Sequence, residues 1–375
     1  LNCSQILFNE TNESEIIETM FTRSAIILAL ALSALPSSHQ TNCIVTEFSQ
    51  VESAVRGCDH VVIRNLQVPG GRPLKLDLRD GATLTFEGRT VFGIAHWLGH
   101  LVQVTGKRVT VEGAQGSVLD AQGEKYWDGH GGSGGVTKPR FFHVGTSGGS
   151  VFKNIYLRNC AHFCVGVTAT DTHLFGWTIN VTEGNTRGAK NTDGFGVSHS
   201  ENILIENSVV MNQDDCVVVN SGRNYLFRNM KCVGSHGLSF SLGASGDDHA
   251  NGVTQNVTFK DSVVEDGSWG IHVKTKRGTG LLTDVVYENI KFSGLVRDGI
   301  YINQDYGDTG NVSRPFKISN LRISKVYGSM VHNKKAIPVH IVCNKNGCSN
   351  FNWSDINVKG VAKNSCNYHP NGFTC

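Results

Sequence analysis

Proline is scarce in this chain, with 7 among 375 residues, while glycine is abundant at 43. That balance excludes a flexible or disordered chain and favours a rigid fold built from many tight turns. Charge of one sign is also lacking. The formal net charge is only +2, which argues against a strongly basic nucleic-acid binder. No C-x2-C pair is followed by a second at ligand spacing, so a zinc site has little support. The nearly continuous apolar run from Ser24 to Leu35 is too short to span a bilayer, so no membrane span is expected.

That run fits a secretory leader. Met20 opens Met20-Phe21-Thr22-Arg23, the apolar run follows, and Pro36-Ser37-Ser38 closes it. One basic residue, an apolar stretch and a small-residue exit describe a signal peptide over residues 20–38. Residues 1–19 precede Met20 and are expected to be upstream sequence and not fold. The mature chain, 39–375, is then a single secreted domain. Losing residues 1–38 removes four glutamates and one arginine, which moves the formal charge from +2 to +5.

Eleven cysteines is an awkward number for a secreted protein, but Cys3 lies in the discarded segment. The ten that remain are even, and several are near neighbours: Cys43 and Cys58, Cys160 and Cys164, Cys343 and Cys348, Cys366 and Cys375. Cys216 and Cys232 are left for each other. Five local bridges in an oxidising compartment is the economical reading. Sequons at Asn180, Asn256, Asn311 and Asn352 fit glycosylation on the same route.

Short apolar runs flanked by glycine recur along the chain. With Cys164, Gly194, Asp215, Gly237, Gly270 and Gly299 taken as equivalent, the intervals are 30, 21, 22, 33 and 29 residues. Self-similarity at this period marks a solenoid or array. A second set of segments shares the repeat, among them Asn154–Asn159, Asn202–Asn207, Asn224–Asn229, Asn256–Asp261 and Asp284–Asn289. Asn and Asp accept left-handed corners and bond their own backbone, which suits a sharp bend between strands. A single right-handed parallel β-helix follows, its hand taken from the usual rule for parallel crossovers. A β-propeller fits less well, because its blades need antiparallel hairpins at a longer period. The loop from Glu124 to Lys138 is expected to hang off the helix.

Alternation along the strands points Phe195 and Val197, Cys216 and Val218, Leu238 and Phe240, Ile271 and Val273, and Ile300 and Ile302 inward. The opposite parity, Asp215, Ser239, His272, Lys274, Tyr301 and Asn303, then faces solvent. Asp193, Asp214, His236 and Trp269 fall at one equivalent position on four successive coils about 4.8 Å apart. Carboxylates crowded in this way can hold a metal or hydrolyse a glycoside. Calcium at this triad would make a lyase-like site, but the adjacent His236 favours hydrolysis. In a hydrolase one crowded carboxyl is kept protonated by its neighbours' charge and acts as acid. No metal or other cofactor is expected.

Asn191-Thr192-Asp193-Gly194-Phe195, Asn212-Gln213-Asp214-Asp215-Cys216, Ser235-His236-Gly237-Leu238-Ser239 and Val273-Lys274-Thr275 resemble, in order and separation, the four motifs of the polygalacturonases of glycoside hydrolase family 28. Asn303-Gln304-Asp305-Tyr306 resembles a further segment that carries a substrate-contacting tyrosine. The resemblance covers about Cys43 to Cys375 and implies a parallel β-helix that hydrolyses α-1,4-galacturonan (pectin) with inversion and without a metal; a secreted, endo-acting monomer is expected. It implies Asp214 as general acid, Asp193 and Asp215 as the pair that deprotonates water, and His236 as their support. Asn191, Gln213, His272, Lys274 and Tyr306 become substrate-binding residues. Plant polygalacturonase-inhibiting proteins are an implied partner. Ladder geometry alone would not indicate inversion, since a coil spacing near 5 Å is closer to the retaining separation.

The chain departs from the family pattern twice. The family usually has Arg-Ile-Lys where this chain reads His272-Val273-Lys274, and an Asp where it has Gly196. An unperturbed His is cationic only on the acid side, so the grip on a substrate carboxylate is expected to fade as pH climbs through neutrality. Exo action, a decorated pectin substrate and a weakly active pectin-binding homologue stay open as alternatives.

Overall fold

In the computed structural model, residues 42–243, 252–276, 279–307 and 316–375 are described. The expected upstream segment and leader, Cys3 and the Asn311 sequon lie outside the described residues.

Strands pair in parallel from coil to coil and form an 11-stranded and a 19-stranded sheet. The fold is a right-handed parallel β-helix. Its corners are made by the residue types that tolerate them. Asn154, Asn159, Asn202, Asn207, Asn224, Asn229, Asn256, Asp261, Asp284 and Asn289 all take φ between 50° and 60°, where an asparagine or aspartate is the least strained L-residue.

The interior consists of apolar columns that run from one coil to the next. Val165, Phe195, Val217, Leu238, Ile271 and Ile300 stand in register, and all are buried. On the facing sheet Phe227, Phe259 and Tyr287 stack with centroids 4.7 Å apart. A short helix, Val51–Gly57, buries Val51, Ala54 and Val55 against the first coil. Trp353 and Phe373 pack together at the last. Disulfides join Cys43 to Cys58, Cys160 to Cys164, Cys216 to Cys232, Cys343 to Cys348, and Cys366 to Cys375.

One coil is a residue out of the expected register. Phe195 pairs with Val217, and Val217 with Leu238, so Cys216, and not Asp215, is the equivalent of Gly194 and Gly237. Val217 and Val219 point inward, while Val218 points out. Three consecutive valines are apolar on both faces, which hides the alternation that reveals parity. The shift also makes Asp215, in place of Asp214, the residue stacked with Asp193, His236 and Trp269.

The loop from Glu124 to Lys138 does not hang free. Asp128 pairs with Lys138 at 2.8 Å and accepts from the amides of His130 and Val136. The Lys138 bond first, and then the two amide bonds, hold its carboxyl far below the usual range. Gly132 N–H donates to Asn191 Oδ1 at 2.9 Å, which straps the loop to a motif residue.

Candidate active site

The outward face of the shorter sheet carries a cleft of about 560 Å³ lined by Asn191, Asp193, Asp214, Asp215, His236, His272, Lys274 and Tyr306 among others. Local turns deliver the carboxyls. Asn212 Nδ2 donates to the carbonyls of Thr192 and Asp215, at 2.7 and 2.9 Å, and ties two successive motifs together. Asn191 takes a left-handed φ of 51°, and its Nδ2 donates to Asp214 Oδ2 at 3.2 Å.

The three carboxyls sit in different electrostatic settings. Asp215 is buried and accepts from Lys274 Nζ at 2.6 Å and from Ser239 Oγ at 2.7 Å. Asp214 accepts from its neighbour's amide at 2.8 Å, and its Oδ1 lies 3.2 Å from His236 Nδ1. Asp193 is buried, and its Oδ1 has no protein partner. Burial, with the charges of Asp214 and Asp215, pushes the Asp193 carboxyl well up. Asp215 is also raised, as burial and Asp214 outweigh the ammonium beside it. Asp214 runs the other way: burial opposes ionisation, but the His236 hydrogen bond and the His236 and Lys274 charges hold the carboxyl down. Burial and crowding thus push two of the three carboxyls up, Asp193 furthest, and leave Asp214 below the usual range. Asp214, Asp215 and His236 each present a ligand atom within 4.8 Å of the others. The Lys274 ammonium offsets the Asp215 part of that cluster's charge.

His272 corrects the expectation of a cationic, solvent-facing grip. It points outward as parity requires, yet it is only 2% exposed. Its ring is stacked on Trp269 at 4.7 Å and on Tyr301 at 5.2 Å. Burial first, then the charges of Lys274 and His236, drive its pKa well below the ordinary value. The cationic form expected of this ring is therefore disfavoured, and both its nitrogens lack a partner. Ser239, Lys274 and Asn303 are likewise buried, so the outward parity is a covered polar layer. Lys274 spends its charge on Asp215, and burial does not prevent its pKa from being raised by that carboxylate.

Gln213 is not brought to the cleft. Its amide donates to Val181 O at 2.8 Å and to Asn185 Oδ1 at 2.7 Å, because its side chain leaves the turn on the side opposite Asp214. Tyr306 does line the cleft, its ring 5.6 Å from Lys274 Nζ and 5.9 Å from Lys276 Nζ. The described sequon asparagines already use their amides: Asn180 donates to Tyr156 Oη, Asn256 to Asn224 and Asn352 to Asn350.

Sequence reasoning missed several lining residues, notably Arg140, His100, Asn220 and Lys276. Lys276 shares parity with Lys274 and was within reach of the alternation argument. Arg140 and His100 carry no motif, and only the register of distant coils brings them in.

A model of the glycosyl hydrolases family 28 matches residues 58–375. A polygalacturonase of Phaedon cochleariae is 41% identical over 360 residues, covering 92% of this chain and 97% of that protein. Endopolygalacturonase I of Aspergillus oryzae is 38% identical over 341 residues, covering 89% and 92%. Among solved structures, endopolygalacturonase I from Stereum purpureum, complexed with two galacturonates, aligns with a TM-score of 0.76 at 26% identity. It covers 88% of this chain and 98% of that one. The endo-xylogalacturonan hydrolase of Aspergillus tubingensis has a TM-score of 0.73 at 18% identity, covering 88% and 100%, a likeness of fold alone.

Proposed function

Because the chain belongs to glycosyl hydrolases family 28 and is therefore a glycoside hydrolase, we propose that it cleaves internal α-1,4 bonds of galacturonan outside the cell. The observation that carries the reading is the convergence of Asp193, Asp214, Asp215 and His236 from three successive coils on one cleft floor.

Asp214 donates its proton to the glycosidic oxygen as the bond to the anomeric carbon breaks. It is the carboxyl left partly open, at 15% side-chain exposure against 3% for Asp215. A sugar entering the cleft strips the remaining water from Asp214, which raises its pKa toward the protonated form an acid needs. Asp193 takes the proton of the attacking water. Its Oδ1 is the vacant acceptor, and a carboxylate with a raised pKa is the stronger base once ionised. Asp215, held by Lys274 and Ser239, orients that water. Attack on the face opposite the leaving oxygen inverts the anomeric centre.

The test is release of new reducing ends from galacturonan, supplied both as the free acid and partly methyl-esterified. The anomer first formed is read by proton NMR, and a drop in viscosity ahead of monomer release marks internal cleavage. Unsaturated products would indicate elimination, and no release from either polymer would end the reading. Secretion is tested by the N-terminus of the protein recovered from medium, expected near residue 39.

A further inference from the structure

A polyanionic substrate is ordinarily met by fixed cations, and the middle of this cleft offers none that is free. The floor follows one outward column, in which Gly166, Gly196, Val218 and His272 line the cleft and, with the covered Ser239, stand in register across five coils. No member carries a fixed charge, and burial between Trp269 and Tyr301 disfavours the cationic imidazole. The cleft-lining residues of the next column, Ser198, Asn220, Ser241 and Lys274, hold one charge, and it is bonded to Asp215 at 2.6 Å. Beside these columns stand the three carboxyls.

Room is left over the glycines. A methyl group added at Gly166 would lie 3.8 Å from His100 Nε2 and His143 Cδ2, and one at Gly196 would lie 3.7 Å from Val218 Cγ1. Those are ordinary contacts, so the trough has space for a small substituent. His100 is itself uncharged above a pKa lowered to about 4 by burial, His143 and Arg140. Among the described residues, the lining cations that meet no carboxylate are Arg140 and Lys276. They stand at opposite ends, five strand steps and so about 24 Å apart along the ladder.

A free carboxylate laid on this floor would be desolvated, would face three carboxyls, and would find no unpaired cation. An alkyl ester carries no charge and places its methyl group on a glycine and valine surface. Resting on the hydrolase reading above, we propose that the sugar units bound over Gly166, Gly196, Val218 and His272 are taken as methyl esters. The enzyme then acts on partly esterified galacturonan in preference to the free polyacid. Arg140 and Lys276 receive free carboxylates only at the two ends.

The experiment compares kcat/KM on galacturonans of graded esterification, with mass spectrometry of the products. A polymer about half esterified should be cut about 10-fold more efficiently than the free acid, the low end for one unpaired charge contact. Methyl esters should be found on the units flanking the cut. Gly196→Lys places a cation on the floor without a clash and should reverse the preference, whereas Gly196→Gln, similar in bulk, should keep it. His272→Arg should act in the same direction as the lysine. Equal or better cleavage of the free acid by the unaltered enzyme would overturn the proposal, as would identical preferences in the Lys and Gln variants. Inactivity on every galacturonan would instead remove the hydrolase reading on which it rests.

Discussion

Two polar ladders climb this molecule, and they are opposites. On the longer sheet Asn256 donates to Asn224 at 2.9 Å, Asn224 to Asn202 at 2.9 Å, and Asn202 to Asp171 at 2.7 Å. On the shorter sheet Asp193, Asp215, His236 and Trp269 occupy a similar stack. A neutral amide both donates and accepts, so repeating it each coil satisfies every member. A carboxylate only accepts, so repeating it each coil leaves charge unsatisfied. The first ladder is a seam that holds the corner. The second stores the mismatch that acid and base chemistry uses.

Substitutions can break or sharpen that contrast. The largest effect is expected from Asp214→Asn, which should lower turnover by about 10²- to 10⁴-fold, the usual contribution of a general acid. Its melting temperature should stay near that of the unaltered protein, and wild-type turnover in the folded variant would rule out the donor role.

Lys274→Met strands Asp215 as a buried carboxylate without a cation. Breaking such a pair costs about 3 to 5 kcal/mol, read as a lowered denaturant midpoint. A midpoint that does not move would mean the ammonium is not what keeps Asp215 in place.

Asp193→Asn should do the reverse for stability while lowering activity. The Asp193 pKa is raised in the fold, so between the unfolded value of about 3.9 and the raised value the native state binds more protons, and stability falls as pH rises. The penalty is complete above the raised value and relieved as pH falls through it. The asparagine variant should therefore gain about 1 kcal/mol at pH 7 and little at pH 4. Thermal melts at the two pH values check this, and a gain confined to pH 4 would reverse the sign.

The smallest effect on turnover belongs to the satisfied ladder. Asn224→Ala loses two amide bonds and places an ordinary side chain at φ 60°, which should cost about 1 to 2 kcal/mol with no change in turnover. Asn224→Gly should recover the backbone part. A fall in activity would mean that the two ladders are coupled.

Legibility in the sequence followed how local the physics was. The left-handed corners could be read because Asn and Asp announce them one residue at a time. The inward columns at Phe195 and Val197, or Leu238 and Phe240, could be read because polar and apolar residues alternate. At Val217, Val218 and Val219 alternation vanishes, and the register slipped by one. Gln213 was misplaced because a motif does not say which side of a turn its side chain leaves.

The coil repeat, the corners and the four clustered motifs thus reside in the order of the amino acids, since strand parity and backbone preference act over a few residues. Folding decided the rest. Lys274 meets Asp215 from 59 residues away. Burial between Trp269 and Tyr301 drives the His272 pKa down, and Arg140 and Lys276 become the ends of one cleft. Charge state depends on what surrounds a group in space, and that environment exists only once distant coils have stacked.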